Sequence, residues 1–162
     1  MVSQPGVSEE AGNVLKLMSG TVFDDQGNVV RLKKNTYAPF QTEIQAYRFC
    51  AMVGLALDKK SLNGFTTKWS ASSPDLVKPK LNELIEILGN ELDAEDWVQA
   101  MNEAADWGAT YIKKYHYIGG EFLLSTLIEL LHNAAEKIEC KRCGAINSSG
   151  NEICWTGCGG SL

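Results

Sequence analysis

Four of the five cysteines stand within 19 residues near the end of the chain. They run as Cys140-Lys-Arg-Cys143, ten further residues, then Cys154-Trp-Thr-Gly-Cys158. A thiolate pair separated by two residues and followed by a glycine, here Gly144, is a knuckle that wraps one tetrahedral ion, because the glycine lets backbone amides turn toward sulfur. Two such pairs complete an all-sulfur shell, so the expectation is one structural Zn²⁺ held by Cys140, Cys143, Cys154 and Cys158. A disulfide pair and a rubredoxin-type iron centre are the alternatives, the first disfavoured in a reducing compartment. The second pair has three intervening residues where two are usual, and Gly157 and Gly159 accommodate the longer loop. With four protein ligands no position is left for water, so the site reads as structural and not catalytic. A segment this short draws its folding free energy from the metal.

No other constellation carries comparable chemistry. His116 and His132 are the only histidines, and neither has a carboxylate or thiol at a recognisable spacing. His116, between two tyrosines near a helix end, is explained by a dipole contact or by solvation, and His132 by a helix surface. Cys50 lies inside an apolar helix and reads as packing. There is no Gly-rich phosphate loop, no G-x-S-x-G and no H-E-x-x-H. The acidic group Glu91, Asp93, Glu95 and Asp96 reads as a helix amino-terminus exploiting the dipole. The chain is therefore expected not to be an enzyme and to take no small-molecule substrate.

Length and composition bound what can position the cysteines. The chain has 162 residues, of which 44% are hydrophobic and 22% charged, enough for one packed domain with a small appendage. No apolar run approaches membrane-spanning length, and Met1 to Glu10 lacks the basic and apolar regions of a secretory signal, so a cytoplasmic address without membrane association is expected. The net charge of −5 is unevenly spread. Residues 1–80 hold ten Lys/Arg against seven Asp/Glu, whereas residues 81–137 hold three against eleven. An acidic chain is a poor non-specific nucleic-acid binder. Arg31, Lys33 and Lys34, and Lys59 with Lys60, are the local groups that can still touch phosphate or a partner; ordinary solvated surface charge is the bland alternative.

The expected fold is mainly α: a compact bundle of about four helices, a short N-terminal β-hairpin and the C-terminal four-cysteine ribbon. Residues 1–20 read as a flexible tail, with Asn13 to Met18 a short helical turn or the end of that tail. Two apolar runs flank Asp24-Asp25-Gln26-Gly27-Asn28, which is hairpin chemistry. Thr42 caps a helix reaching Leu57 to Lys60, and Gly54 marks a close helix approach. Pro79 opens a second helix that ends at Gly89. Asp93 caps a third whose Ala104, Ala105 and Gly108 allow a tight crossing, with Gly119-Gly120 its terminator. A leucine-rich fourth helix, Glu121 to about Lys137, carries more apolar residues than one stripe needs and is suited to covering a partner. The division is thus a tail at 1–20, a helical domain with its hairpin at 21–137 and a ribbon at 138–162.

Two family resemblances follow. Cys140-x2-Cys143-x3-Asn147-x6-Cys154 resembles the Ran-binding-protein type of zinc finger, and more loosely the short zinc ribbons that close many bacterial proteins. The finger family carries an aromatic two residues before the first cysteine that helps to stack on a base or on a partner, where this chain has Ile138. Contact through this ribbon would fall to Arg142 and Trp155, a guanidinium and an indole suited to a single-stranded base, a ubiquitin-like surface or another protein; Trp155 packed on the helical body is the alternative. Separately, Lys33 to Phe40, the helix Glu43-Ile44-Gln45-Ala46-Tyr47-Arg48-Phe49-Cys50-Ala51-Met52-Val53-Gly54-Leu55-Ala56, and Lys59-Lys60 resemble the small helical Dnd-associated proteins encoded beside DNA phosphorothioation genes. That resemblance, over about residues 33–131, implies a non-catalytic subunit of a bacterial antiviral or anti-plasmid DNA-processing complex, docked on a larger ATPase or nuclease. A stand-alone zinc-ribbon protein that binds nucleic acid or regulates is the rival expectation.

Overall fold

The computed structural model describes residues 5–35, 37–61, 66–70, 97–132, 137–148 and 153–160. The chain divides into two compact units, Met1–Lys113 and Lys114–Leu162. The expected Pro79–Gly89 helix and the acidic group at 91–96 lie outside the described residues.

In the first unit, β1 (Gly6–Val7) leads into α1 (Glu9–Met18). Ser8 caps α1 by accepting the Ala11 amide, two glutamates occupy the first turn, and Ala11, Val14, Leu15 and Met18 form a buried stripe at helical spacing. This corrects the expectation of a flexible tail over 1–20. The segment is held by partners nearly a hundred residues away: Asn102 Oδ1 accepts the Gly6 amide at 2.8 Å, and Asp106 Oδ1 accepts the Ser8 amide at 2.8 Å.

The expected hairpin is present as β2 (Thr21–Phe23) antiparallel to β3 (Val29–Lys34), with a register shift between Thr21 and Phe23. Asp24 closes the turn by accepting the amides of Gln26 and Asn28, bonds that hold its carboxyl below the usual range, that of Asn28 foremost. Next, α2 (Glu43–Ala56) begins with a full capping box: the Thr42 hydroxyl accepts the Gln45 amide, and the Gln45 side chain accepts the Thr42 amide.

The helix α3 (Trp97–Tyr115) meets α2 backbone to backbone. A Cβ on Gly54 would lie 2.4 Å from the Ala104 carbonyl oxygen, and one on Gly108 2.1 Å from that of Cys50, so only glycine fits at both points. Tyr47, Cys50, Ala51 and Val53 from α2 and Met101, Ala104, Ala105 and Ile112 from α3 are fully buried. Burial pushes the Cys50 thiol far up, and the Met18 sulfur lies 3.8 Å away, in keeping with a packing role. The short β4 (Trp69–Ser70) pairs with β1, and the Trp69 ring stacks on Tyr47 at 5.6 Å.

In the second unit, the end of α3 is followed by β5 (Tyr117–Ile118) and β6 (Glu121–Phe122), an antiparallel hairpin. Gly119 and Gly120 form its two-residue turn with φ of +62° and +90°, a backbone twist that suits a tight hairpin. The diglycine is thus a hairpin turn, and the preceding helix stops earlier, at Tyr115. The last helix, α4 (Ser125–His132), is correspondingly shorter than the expected Glu121–Lys137, because Glu121 and Phe122 are committed to the hairpin. Its Leu127 and Leu130 are buried while Ile128 is exposed. The chain continues into β7 (Lys137–Glu139), antiparallel to β8 (Ile146–Ser148). The expected boundary at 137 therefore moves to Lys113/Lys114: the hairpin and α4 belong with the ribbon. Among the described residues four helices alternate with four two-stranded sheets, and no helix is long and apolar enough to cross a membrane.

Candidate metal centre

The cysteines sit in two loops fastened to the β7–β8 hairpin. At the first, the Cys140 amide bonds to the Ala145 carbonyl and the Gly144 amide to the Cys140 carbonyl, at 2.9 and 2.8 Å. The loop closes because Gly144 adopts φ +79°, a conformation costly for any side chain. At the second, the Gly157 amide donates to the Cys154 carbonyl and the Cys154 amide to the Gly160 carbonyl, at 3.0 and 3.2 Å. Gly157 and Gly159 both have positive φ, which is how the extra residue between Cys154 and Cys158 is absorbed.

These turns bring the four sulfurs together. All lie within 4.8 Å of one another, with Cys140 to Cys158 at 3.5 Å and Cys143 to Cys154 at 3.6 Å, and none is in a disulfide. Sulfurs around a tetrahedral ion with bonds of about 2.3 Å stand about 3.8 Å apart, so the cluster has the dimensions of a four-thiolate metal site such as one for Zn²⁺. Cys140 and Cys154 are buried, Cys143 and Cys158 half-buried.

Donors surround the sulfurs. The Thr156 hydroxyl is 3.1 Å from Cys154 Sγ and 3.4 Å from Cys143 Sγ, and the Gly160 amide donates to Cys158 Sγ at 3.3 Å. Asn147, with no exposed surface, links the two loops. Its Nδ2 donates to the Ala145 carbonyl at 2.8 Å and approaches Cys154 Sγ at 3.7 Å, while its Oδ1 accepts the Trp155 amide at 2.9 Å. Burial pushes the Cys154 thiol up, but hydrogen bonds from Thr156, Cys143 and Cys140 outweigh it and bring it down to about 6. The Gly160 amide, against burial, holds Cys158 below its ordinary value. The Cys143 amide pulls Cys140 down, yet burial and the neighbouring sulfurs leave it raised. Donors aimed at sulfur favour thiolate, the form a metal ligand needs.

Residues before the ribbon brace it. The Tyr115 hydroxyl donates to the Cys143 carbonyl. His116 is 1% exposed and its ring stacks on Trp155 at 5.2 Å and 23°, with Nδ1 3.3 Å from the Thr126 hydroxyl. This corrects the expectation of a solvated, dipole-favoured histidine: burial holds its pKa below the ordinary value. Trp155 also donates from Nε1 to the Ile146 carbonyl at 2.9 Å, so the indole is fastened from two sides while remaining 37% exposed.

The expected contact residues fall in both units. Arg142 is exposed in the first cysteine loop, and the guanidinium Nη1 would lie 3.0 Å from a Cβ built on Gly159. Arg31, Lys33 and Lys34 belong to β3 in the first unit. Lys60, also there, is exposed and pairs with Glu103 at 3.5 Å, while Lys59 is half-buried. Tyr115, His116 and Thr156 were not read from the sequence as parts of the site. Thr156, placed between two ligands, is the one that the motif itself pointed to. Comparison with protein-family models, curated proteins and solved structures finds no match.

Proposed function

We propose that the chain is a non-catalytic accessory protein whose C-terminal ribbon folds around one Zn²⁺ and serves as a contact module. The observation that carries this reading is the sulfur cluster: four free thiols within 4.8 Å, ringed by donors, with no fifth His, Cys, Asp or Glu in the set among the described residues. Cys140, Cys143, Cys154 and Cys158 would fill a tetrahedral shell, and an ion so held supplies folding free energy, not a site for activated water. Asn147, Thr156 and Gly160 orient and stabilise the thiolates, as outer-shell partners do.

The wider role, a subunit of a DNA-processing defence complex that docks on a larger ATPase or nuclease, is supported by the resemblance of residues 33–131 to Dnd-associated proteins. The second reading, a stand-alone nucleic-acid reader, is supported by an exposed Arg142 and a partly exposed Trp155 indole within the same ribbon. Elemental analysis of the full chain, purified reduced and without added metal, tests the ribbon. One zinc per chain is expected, lost in a Cys140→Ser/Cys143→Ser variant, and absence of stoichiometric metal overturns the module. Stoichiometric co-purification of a large partner supports the subunit. Salt-sensitive binding of single-stranded DNA or RNA by the isolated chain, abolished by Arg142→Ala with Trp155→Ala, supports the stand-alone reader instead.

A further inference from the structure

Beside the sulfur cluster lies a cavity of about 260 Å³. Its walls are Thr126, Glu129 and Leu130 of α4, Ile146, Asn147 and Ser148 of β8, and Trp155. Leu130 and Ile146 are almost wholly buried and give the cavity an apolar patch within a lining that is about half polar, whereas Thr126 and Glu129 are exposed. Glu129 is the only charged side chain among the described residues that line it, and no described residue pairs with its carboxylate. The indole wall is already fixed by His116, Ile146 and Asn147, and Thr126 by its approach to His116. The indole and Thr126 are thus set in advance, and the Glu129 side chain is the group that binding would order.

An apolar patch, an indole and one carboxylate together suit a group with an aliphatic stem and a positive head. The stem packs on Leu130 and Ile146, and the head lies near Trp155 and Glu129, where cation–π and ionic attraction add. The volume is below the roughly 300 Å³ at which sites for drug-sized ligands begin, which favours a single side chain. A nucleobase would also stack on indole, but its phosphates would approach an unpaired carboxylate with no lining cation to hold them. We propose that this cavity is a recognition pocket for one lysine or arginine side chain presented by a protein partner. The inference rests on the ribbon being a zinc-folded contact module and names the chemistry of what it contacts.

The test is an NMR titration of the full zinc-loaded chain with the acetylated, amidated tripeptides Gly-Arg-Gly and Gly-Lys-Gly, set against their neutral citrulline and norleucine counterparts and against a short single-stranded oligonucleotide. Saturable shifts of the Trp155 indole N–H and of the Thr126, Glu129 and Ser148 amides are expected with the cationic peptides in the millimolar range. Glu129→Gln, an exposed substitution that leaves the helix intact, should weaken them by about fivefold. Equal shifts from the neutral peptides, no saturable shift from any peptide, or binding of the oligonucleotide at these same resonances overturns the proposal. Zinc content is measured on the same sample. One zinc per chain with no response sinks the pocket alone, while a sample without zinc sinks the ribbon reading beneath it.

Discussion

Asn147→Ala separates a ribbon held by its ligands alone from one held by its outer shell. The side chain is fully buried and makes two well-formed bonds, 2.8 Å to the Ala145 carbonyl and 2.9 Å from the Trp155 amide, plus a longer approach to Cys154 Sγ. Each neutral bond is worth about 1 kcal/mol net, so losing two removes about 2 kcal/mol. The Ala145 carbonyl keeps the Cys140 amide, but leaving the Trp155 amide without a partner adds a further ~1–2 kcal/mol. Because folding and metal binding are one process in such a ribbon, the sum of about 3–4 kcal/mol appears as zinc affinity weakened by roughly 150- to 900-fold. Competition against a chromophoric chelator at fixed pH measures it. Asn147→Asp is the companion: it keeps the acceptor for Trp155 but turns an oxygen toward the Ala145 carbonyl and the Cys154 sulfur, so its loss should be at least as large. An affinity within threefold of wild type in both variants would refute the coupling of Asn147 to the metal.

Four further outcomes follow from the geometry. Chelating the metal should melt residues 137–148 and 153–160 while α1, α2 and the first unit's part of α3 stay protected, read by amide hydrogen exchange; protection unchanged at Cys140, Gly144 and Cys154 contradicts it. Gly108→Ala should lower stability by about 1–3 kcal/mol, a few degrees in Tm, since a Cβ 2.1 Å from the Cys50 carbonyl forces the helices apart and outweighs the ~1 kcal/mol gain in helix propensity; an unchanged or raised Tm refutes it. Deleting residues 1–8 should cost about 2–5 kcal/mol in denaturant, because Asn102 and Asp106 lose the amides of Gly6 and Ser8 in a buried setting, whereas a true tail would leave the midpoint where it was. His116, with its folded pKa depressed by burial, binds its proton more readily once unfolded. Its contribution is therefore complete above about pH 6.5 and is lost as pH falls toward the folded value, so the wild-type melt should drop across that window more steeply than that of His116→Phe, and parallel slopes would exclude the mechanism.

What could be read from the chain in advance was mostly local. The capping residue Thr42, the turn at Asp24 to Asn28 and the cysteine knuckles each act within a few residues, so their chemistry is written where they stand. Gly54 and Gly108 were legible as close-approach points for a related reason: a small residue on an otherwise apolar helix face has few other uses. The early segment was misjudged from its polar first residues although it held a helix start, with Ser8 before two glutamates and an apolar stripe from Ala11 to Met18. Its fixing partners, Asn102 and Asp106, sit on α3 nearly a hundred residues on, and no short window shows that Gly6 and Ser8 are what those side chains need. Likewise the diglycine at 119–120 stops a helix or turns a hairpin equally well by composition. The alternation of Tyr117-Ile118 against Glu121-Phe122 decided it.

The ribbon's small core explains why its metal and its surface belong to one problem. The buried cluster here is Cys140, Ala145 and Cys154, with Tyr115, Cys143 and Cys158 packed against it, so four of its six members are the sulfur ligands themselves. Such a core offers little apolar area to hold a fold without an ion, and Ile146 at its edge adds only about 1.5–3 kcal/mol. The same few residues set the position of Trp155: Asn147 holds its amide, Ile146 its indole nitrogen, and both also line the cavity beside Glu129. If the four sulfurs hold an ion as proposed, its loss would remove the supports of the indole together with the ligand cage. On this geometry a partner that grips Trp155 reads the metal state of the ribbon, and its binding and zinc content should rise and fall together even though no partner atom touches the ion.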